Sequence, residues 1–213
     1  MTSAATGSRG RYARTAERRR TIARAVLDIV REKGHGGVTT AEVADRAGTS
    51  EATVLYHYST KDHLLVAALR RFYEEDDERL SPGDASLDLE RLGAYARSLQ
   101  HDHAIVRLHT LLAGHAATPG HPAQEYFAEH YRAAVTRWAA IIERRQSTGT
   151  AHPDLDPTDV ARQFIATWEG LRAQWLVDPG FDLGDTVVAA FRRLTAQNWM
   201  EARSLLLAPG TGT

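Results

Sequence analysis

A cluster of hydrogen-bonding side chains lies between residues 39 and 61 of this 213-residue chain. Five of these side chains would occupy the outer faces of one short helix: Ser50, Glu51, Thr53, Tyr56 and His57. Lys61 follows where another helix would begin. Its ammonium and the free amides of that helix would therefore be well placed to bind a phosphate. Hydroxyl, imidazole and carboxylate groups can hydrogen-bond to the edges of bases. The residue types and their spacing therefore indicate nucleic-acid recognition.

Helix caps mark the elements that must position these side chains. Thr39-Thr40-Ala41-Glu42 has the spacing of a capping box, in which the Thr39 hydroxyl accepts the Glu42 amide and the Glu42 carboxylate returns to the Thr39 amide. A small apolar face follows, at Val43, Ala44 and Ala47. Gly48 then stands where a helix end needs a residue that tolerates positive φ. The pattern predicts one short helix that ends in a glycine turn.

A second short helix is predicted over residues 51–58, with Ser50 as its cap. We expect Val54 and Leu55 to point inward from it. Ser59-Thr60-Lys61-Asp62 repeats the capping spacing with Asp in place of Glu, so a further helix opens at Lys61. This is the architecture of a helix-turn-helix, which lays one helix in the DNA major groove. A tight three-helix core would share the pattern, but the agreement of caps, glycine and buried positions favours the DNA-binding interpretation.

Upstream, residues 15–33 predict another helix, whose apolar residues recur at spacings of three and four: Ile22, Ala25, Val26, Ile29 and Val30. Three glycines end it, at positions 34, 36 and 37. The predicted helix-turn-helix domain therefore spans residues 15–63.

These segments resemble the TetR family of bacterial transcriptional regulators. The resemblance rests on the helix 21–33, on Gly37-Val38-Thr39-Thr40, on Ala47-Gly48-Thr49-Ser50, and on residues 53–58 with Lys61 and Leu64-Leu65. It implies an all-α homodimer of about nine helices. An N-terminal helix-turn-helix three-helix domain would be followed by a C-terminal helical domain for ligand binding and dimerisation.

The resemblance also implies a set of DNA contacts. They would come from the start of the second helix, the outward face of the third and the lysine that opens the fourth: Thr39, Thr40, Ser50, Glu51, Thr53, Tyr56, His57 and Lys61. Many members have a tyrosine where this chain has Leu55, and its hydroxyl commonly meets a phosphate. Leucine cannot make that contact, and Tyr56 is the candidate to replace it.

Charge is unevenly distributed along the chain. Residues 1–63 carry 11 Lys and Arg against 7 Asp and Glu, a net charge of +4, whereas the other 150 residues carry 15 against 20, a net of −5. Such a molecule would approach DNA with its basic end first. Residues 1–14 are expected to be a disordered basic arm. Its arginines, Arg9, Arg11 and Arg14, would either reach a minor groove or form a solvated tail.

Composition excludes several other classes of protein. The chain has no cysteine, so a disulfide, a thiolate metal site and a cysteine nucleophile are all excluded. It shows no apolar run of membrane-spanning length, no signal peptide, and none of the sequence motifs of nucleotide binding or hydrolysis. We expect a cytoplasmic bacterial protein that is neither an enzyme nor a membrane protein, needs no cofactor and associates with the nucleoid when bound to DNA.

Ten histidines raise the question of a metal site. The imidazoles of His101 and His103 would point about 200° apart on a helix and would not converge. No two histidines have the i, i+4 spacing of ligands on one helical face. We therefore expect no metal, and solvated or capping histidines instead.

The remainder of the chain also has a helical pattern. Long helices are predicted over residues 61–80, 87–100, 104–116, 122–146, 158–177 and 183–207. Residues 64–207 would form the effector-binding and dimerisation domain, and residues 208–213 a disordered tail.

By the same resemblance, effectors bind between the fifth and eighth helices. The candidate ligand-binding residues are Tyr95, Leu99, Arg107, Leu108, His109, Leu112, Tyr126, Trp138, Phe164 and Trp168. An ordinary core or surface role is an equal alternative for each. An aromatic or lipophilic small molecule is the effector class that these side chains favour.

The last two long helices carry aromatic stripes, and the resemblance implies that they pair with their symmetry mates. The candidate dimer-interface residues are Trp175, Val188, Phe191 and Trp199. The alternative for these residues is the core of a single chain, where most large aromatic side chains lie.

Together these observations predict a homodimeric repressor that binds a palindromic double-stranded DNA operator and is released by a small-molecule effector. A two-fold dimer doubles the contacts that one short helix can make with a palindromic site. The alternative is a helical small-molecule carrier or protein-interaction module whose helix-turn-helix domain does not read DNA. The acidic Glu51 and the apolar Leu55 in the recognition segment keep that alternative open.

Overall fold

The computed structural model describes residues 4–80 and 88–207, with the side chains of residues 13–75, 88–204 and 206. The described residues form α-helices and one short 3-10 turn, with no strand among them, as the all-α prediction required. The helices are α1 Ala4–Lys33, α2 Thr40–Arg46, α3 Glu51–His57, α4 Lys61–Leu80, α5 Leu89–Leu99, α6 His103–His115, α7 Pro122–Ser147, α8 Pro157–Val177, α9 Leu183–Leu194 and α10 Gln197–Leu207. The 3-10 turn, His35–Gly37, links α1 to α2.

The chain divides into two compact units. The first comprises Met1–Ser81 and Arg107–Phe127, and the second comprises Pro82–Val106 and Ala128–Thr213. The sequence placed a boundary at residue 63, whereas α4 belongs with the first unit because it packs along α1. Its residues Leu64, Leu65 and Leu69 are buried.

The core of the headpiece, which we define as α1–α4, follows the apolar periodicity of its sequence. In α1, Ile22, Val26, Ile29 and Val30 are completely buried, as the three- and four-residue spacing predicts. The short helices contribute three buried side chains, Val43 and Ala44 from α2 and Val54 from α3. A helix of seven residues has little stability of its own, so this packing fixes the orientation of α2 and α3.

A buried carboxylate joins α1 to α4. Glu75 of α4 is 9% exposed, and its Oε1 accepts hydrogen bonds from Arg24 of α1 at 2.8 Å and from Arg71 of α4 at 3.0 Å. Two guanidinium groups thus offset the cost of burying one carboxylate.

The first helix is longer than the sequence suggests. It begins at Ala4 rather than at residue 15, so the predicted basic arm overlaps a helix. Alanine and arginine, which are frequent in this stretch, have high helix propensity. Arg14 is exposed on it, whereas the side chains of Arg9 and Arg11 lie outside the described ones, as do residues 1–3 and the predicted tail 208–213.

In the second unit, α5 and α9 approach each other through two glycines. A Cβ atom added to Gly184 would lie 2.5 Å from the carbonyl oxygen of Gly93, so only a residue without a side chain fits there. Arg97 of α5 reinforces this crossing by binding the carboxylates of Asp182 and Asp185 at the start of α9. The close approach of the two backbones buries Leu92 and Val187 in the unit's core.

The predicted final helix, residues 183–207, is in fact two helices. It breaks where Ala196 adopts a φ of 52°, in the left-handed region. The buried Thr195 carbonyl accepts the His152 amide at 3.0 Å, so a contact distant in sequence stabilises the break. None of the described helices is both long enough and apolar enough to cross a membrane.

Candidate nucleic-acid interface

The start of α2 is fixed by a side-chain cap. The Thr39 hydroxyl accepts the Glu42 amide at 3.3 Å, as predicted. The reciprocal half of the capping box is replaced: the Glu42 carboxylate binds Lys33 at 2.6 Å and Arg46 at 2.9 Å. The hydrogen bond from Lys33 is the main cause that lowers the pKa of Glu42. The Lys33–Glu42 pair, together with a pair between Arg46 and Glu32 at 2.6 Å, holds α2 against the end of α1.

The orientation of α3 is set by one cap and two buried side chains. Ser50 Oγ accepts the Thr53 amide at 3.2 Å, and Gly48 turns the preceding chain with a φ of 59°. Val54 is completely buried and Tyr58 is 6% exposed. The Tyr58 hydroxyl also donates to the carbonyl oxygen of Arg19 in α1 at 3.2 Å. The opposite side of α3 must therefore face outward.

Two large side chains project from that outward side. Tyr56 is 84% exposed, as the sequence predicted. Leu55 is 46% exposed, and the prediction that it points inward is wrong. Each residue of a helix is rotated by about 100° from the one before it, so once Val54 and Tyr58 occupy the core, Leu55 is turned away from it.

The structure brings together two candidate contact residues from different helices. Thr40, the first residue of α2, donates its hydroxyl to Glu51 Oε2 at 2.7 Å, and Glu51 is the first residue of α3. This bond joins the N-termini of α2 and α3 across the turn. It also fixes the direction of the Glu51 carboxylate on the exposed side of the headpiece.

His57 lies at the C-terminal end of α3 and is partly buried. Burial is the main cause that lowers its pKa, and the positive charges of Arg19 and Arg18 lower it further. Both causes favour the neutral imidazole, which has one ring nitrogen to donate and one to accept.

Sequence reasoning missed Arg18 and Arg19 as candidate contacts. Both are exposed on α1, and Arg18 Nη1 donates to the carbonyl oxygen of Ala47, in the turn before α3, at 3.5 Å. Arg19 also lies over the ring of Tyr58, with 4.9 Å between the guanidinium carbon and the ring centroid. The run Arg18-Arg19-Arg20 was the available signal.

Lys61 opens α4 and is exposed. Its Nζ donates to the carbonyl oxygen of Gly36 at 3.0 Å, which holds the ammonium beside the turn before α2. The cap of α4 is shifted by one residue from the prediction, because Thr60 rather than Ser59 accepts an amide, that of His63, at 3.3 Å. Lys61 thus keeps its predicted position at the first turn of the helix.

The candidate effector residues fall in both units. In the first, Leu108, His109, Leu112 and Tyr126 are buried, and Arg107 is exposed. His109 is a buried polar group, and its Nδ1 lies 2.8 Å from the hydroxyl of Tyr73. The Tyr73–His109 pair, a contact between α4 and α6, is a feature that the sequence did not predict.

In the second unit, the candidate effector residues belong to one aromatic cluster and its neighbours. Tyr95 stacks on Trp168 with 5.8 Å between ring centroids. Trp138 packs edge-to-face on Phe164 at 4.5 Å. Leu99 is buried. These contacts are those of an ordinary hydrophobic core, which the sequence left open as an alternative.

Two of the four candidate dimer residues lie inside the chain's own core. Phe191 is completely buried and packs on Phe164 at 4.9 Å, and Trp175 is 5% exposed. These two side chains are not available to a partner, because the second unit buries them. Val188 is partly buried, and Trp199 is 50% exposed on α10.

No group of three or more His, Asp or Glu side chains within the described part of the chain is placed to hold a metal ion.

Two curated regulators match the N-terminal part of the chain. The HTH-type transcriptional regulator CymR of Pseudomonas putida is 40% identical over 55 residues, which cover 26% of this chain and 27% of CymR. The HTH-type transcriptional repressor KstR of Rhodococcus jostii is 34% identical over 90 residues, which cover 40% of this chain and 42% of KstR. The chain thus matches less than half the length of either relative.

A solved structure matches over a longer range. The crystal structure of a transcriptional regulator from Rhodococcus sp. Rha1 is similar with a TM-score of 0.61 and 26% identity, covering 84% of this chain and 94% of that one. The likeness therefore extends beyond the headpiece into the C-terminal helices.

Two capped helices joined at Gly48 and packed on α1 make the headpiece a helix-turn-helix domain, the class that presents a short helix to the DNA major groove. The sequence model described as "Bacterial regulatory proteins, tetR family" matches residues 22–68. Over this N-terminal part, the chain is similar to regulators of the TetR family.

Proposed function

We propose that the chain is a transcriptional regulator, a homodimeric repressor that binds a palindromic operator and is released by a small-molecule effector. The observation that carries this proposal is the exposed face of α3. Val54 is completely buried while its neighbour Tyr56 is 84% exposed. A helix of seven residues is thus capped, anchored and turned so that the side chains of Glu51 and Tyr56 are exposed to solvent.

The roles of the contact residues follow from their positions. Ser50, Glu51 and Thr53 lie at the N-terminal end of α3, which enters the groove first in a helix-turn-helix. Tyr56 and His57 follow toward its end and would reach base edges or phosphates. Two sets of phosphate contacts complete the surface: Thr39, Thr40 and Lys61 at the starts of α2 and α4, and Arg18 and Arg19 on α1.

Dimerisation supplies the specificity that one headpiece lacks. One recognition helix reads only a few base pairs, and a two-fold dimer reads two half-sites about one helical turn apart. With Trp175 and Phe191 in the core of the second unit, the partner would pack on the outer faces of α8 and α9, including Val188. The KstR description as a repressor and the family resemblance support repression as the sign of regulation.

Release by an effector requires unequal affinity of the ligand for two arrangements of the helices. The Tyr73–His109 pair joins α6 to α4, the helix whose first residue is Lys61. A ligand that displaces His109 would therefore act on the same helix that carries a proposed phosphate contact. This geometry supports α4 as the element that transmits the signal.

Selection from a library of random DNA duplexes tests the proposal. We expect the purified chain to enrich a palindrome with two half-sites at two salt concentrations, and to sediment as a dimer. Tyr56→Ala and His57→Ala should each weaken operator binding by about 1–3 kcal/mol where they touch base edges. Leu206→Ala, a change at an exposed apolar residue of α10, is the control and should leave binding unchanged.

Weak binding that is indifferent to sequence and vanishes with salt would contradict the proposal. It would instead support the alternative of a carrier or protein-interaction module.

A further inference from the structure

Exposed large apolar side chains are few in the described part of the chain. Five are found there: Leu55, Tyr56, Val177, Trp199 and Leu206. Two of the five are adjacent on α3, which has only seven residues. Ala52, one turn before Tyr56, is also exposed. The proposed recognition helix thus presents a small apolar surface between its polar residues.

The direction of this surface follows from the contacts of α3. Leu55 lies one turn after Glu51, so the two side chains share a face of the helix. Glu51 is held by Thr40 at the N-terminus of α2, through the bond of 2.7 Å. The Leu55 side chain is therefore continuous with the surface that the proposed function assigns to DNA.

The major groove offers one apolar group, the C5 methyl of thymine. Guanine, adenine and cytosine present hydrogen-bond donors and acceptors at their edges. A leucine placed against those groups would remove their water and give no partner in return, which costs free energy. Against a thymine methyl, the same leucine would bury apolar surface on both sides.

We propose that Leu55 is a specificity-determining residue that packs on a thymine C5 methyl in each half-site of the operator. The inference rests on the proposed function, since it requires that α3 enter the major groove. It gives a role to an exposed side chain that has no hydroxyl to bind a phosphate. That position would contribute a base contact in this chain rather than a phosphate contact.

The size of the effect follows from the burial of one methyl group. Removing a buried methyl costs about 0.8 kcal/mol, which is about a fourfold change in the dissociation constant. Replacing the contacted thymine by uracil in both half-sites should therefore weaken binding about 15-fold.

The test is a thymine-to-uracil scan of the selected operator, one symmetric pair of positions at a time. Dissociation constants are measured for the full chain, for Leu55→Ala and for Leu206→Ala. Leu206 is an exposed leucine on α10, so its variant is the matched control. Thermal unfolding of each variant checks that the fold is retained.

We expect one position at which uracil weakens the binding of the native chain and of Leu206→Ala, but not that of Leu55→Ala. Equal sensitivity of native chain and Leu55→Ala at every position would overturn the inference and leave the proposed function standing. The inference would also be overturned if uracil left the affinity of the native chain unchanged at every position. Failure of the library to yield any palindrome would overturn the proposed function, and the inference with it.

Discussion

Replacement of Lys61 by alanine tests the proposed DNA surface most directly, because the chain has only two lysines, Lys33 and Lys61. Both lie in the headpiece, but their surroundings differ. Lys33 Nζ lies 2.6 Å from Glu42 Oε1, so an adjacent carboxylate offsets its charge. Lys61 Nζ binds the neutral carbonyl oxygen of Gly36 at 3.0 Å, a contact that brings no opposite charge to the ammonium. We expect Lys61 to neutralise a phosphate and Lys33 not to do so.

The magnitude follows from counterion release. Each phosphate that a protein neutralises on B-DNA contributes about 0.9 to the slope of log K against log salt. A dimer that loses Lys61 from both headpieces should therefore have a slope smaller by about 1.8. Between 50 and 200 mM salt, the native protein should lose about 12-fold more affinity than the Lys61→Ala protein.

Binding isotherms at four or five salt concentrations, on the selected operator and on a random duplex of equal length, measure this slope. The expected result is a shallower slope for Lys61→Ala on both duplexes. Lys33→Ala removes the same charge from the same unit and should leave the slope near that of the native protein. Equal slopes for the two variants would refute the reasoning, because the lysines would then act only through net charge.

Three further predictions concern the elements that hold the surface. Ser50→Ala removes the acceptor for an α3 amide and should lower the free energy of unfolding by about 1 kcal/mol in urea denaturation, whereas Ser50→Asp retains an acceptor and should not. His57 has a lowered pKa in the folded state, so the unfolded chain takes up its proton first as the pH falls below the ordinary value of 6.5. Stability should therefore decline below that pH, and His57→Gln should decline less; identical pH profiles would contradict this. Gly184→Ala would place a methyl 2.5 Å from the Gly93 carbonyl oxygen and should destabilise the fold by about 1–3 kcal/mol. The control is Gly114→Ala, which has no neighbour within 4 Å and should be neutral or slightly stabilising. Equal melting temperatures for the two variants would argue against the close crossing of α5 and α9.

Features that depend on residues close in sequence could be predicted well. The caps at Thr39 and Ser50 each join a hydroxyl to an amide three residues later, and both were predicted and observed. The glycine turn at Gly48 and the apolar stripe of α1 likewise follow from local rules. The helical class and the bounds of most helices follow from the same periodicity.

Features that depend on distant contacts could not be predicted. The break between α9 and α10 has no proline or glycine to signal it, and it depends on a bond between His152 and Thr195. The predicted hydrogen bond from the Thr39 amide to the Glu42 carboxylate is absent, because that carboxylate binds Lys33 and Arg46 instead. The capping-box rule does not consider such competing partners. An aromatic stripe predicts that a helix buries one face, but not whether a second chain or the same chain covers it. Burial of Phe191 within the second unit shows which alternative holds for that residue.

The orientation of Leu55 depends both on the local helix and on contacts distant in sequence. Its apolar character alone favoured the core, and the three-dimensional packing of Val54 and Tyr58 turned it outward instead. Because the buried side chains and the cap at Ser50 fix α3, the exposed ones contribute little to its stability. Substitutions at Leu55 and Tyr56 should therefore change DNA affinity and change the free energy of unfolding much less than substitutions at Val54, which is completely buried. Because DNA affinity and stability depend on different residues of α3, its outward face can vary in sequence while the headpiece keeps its fold.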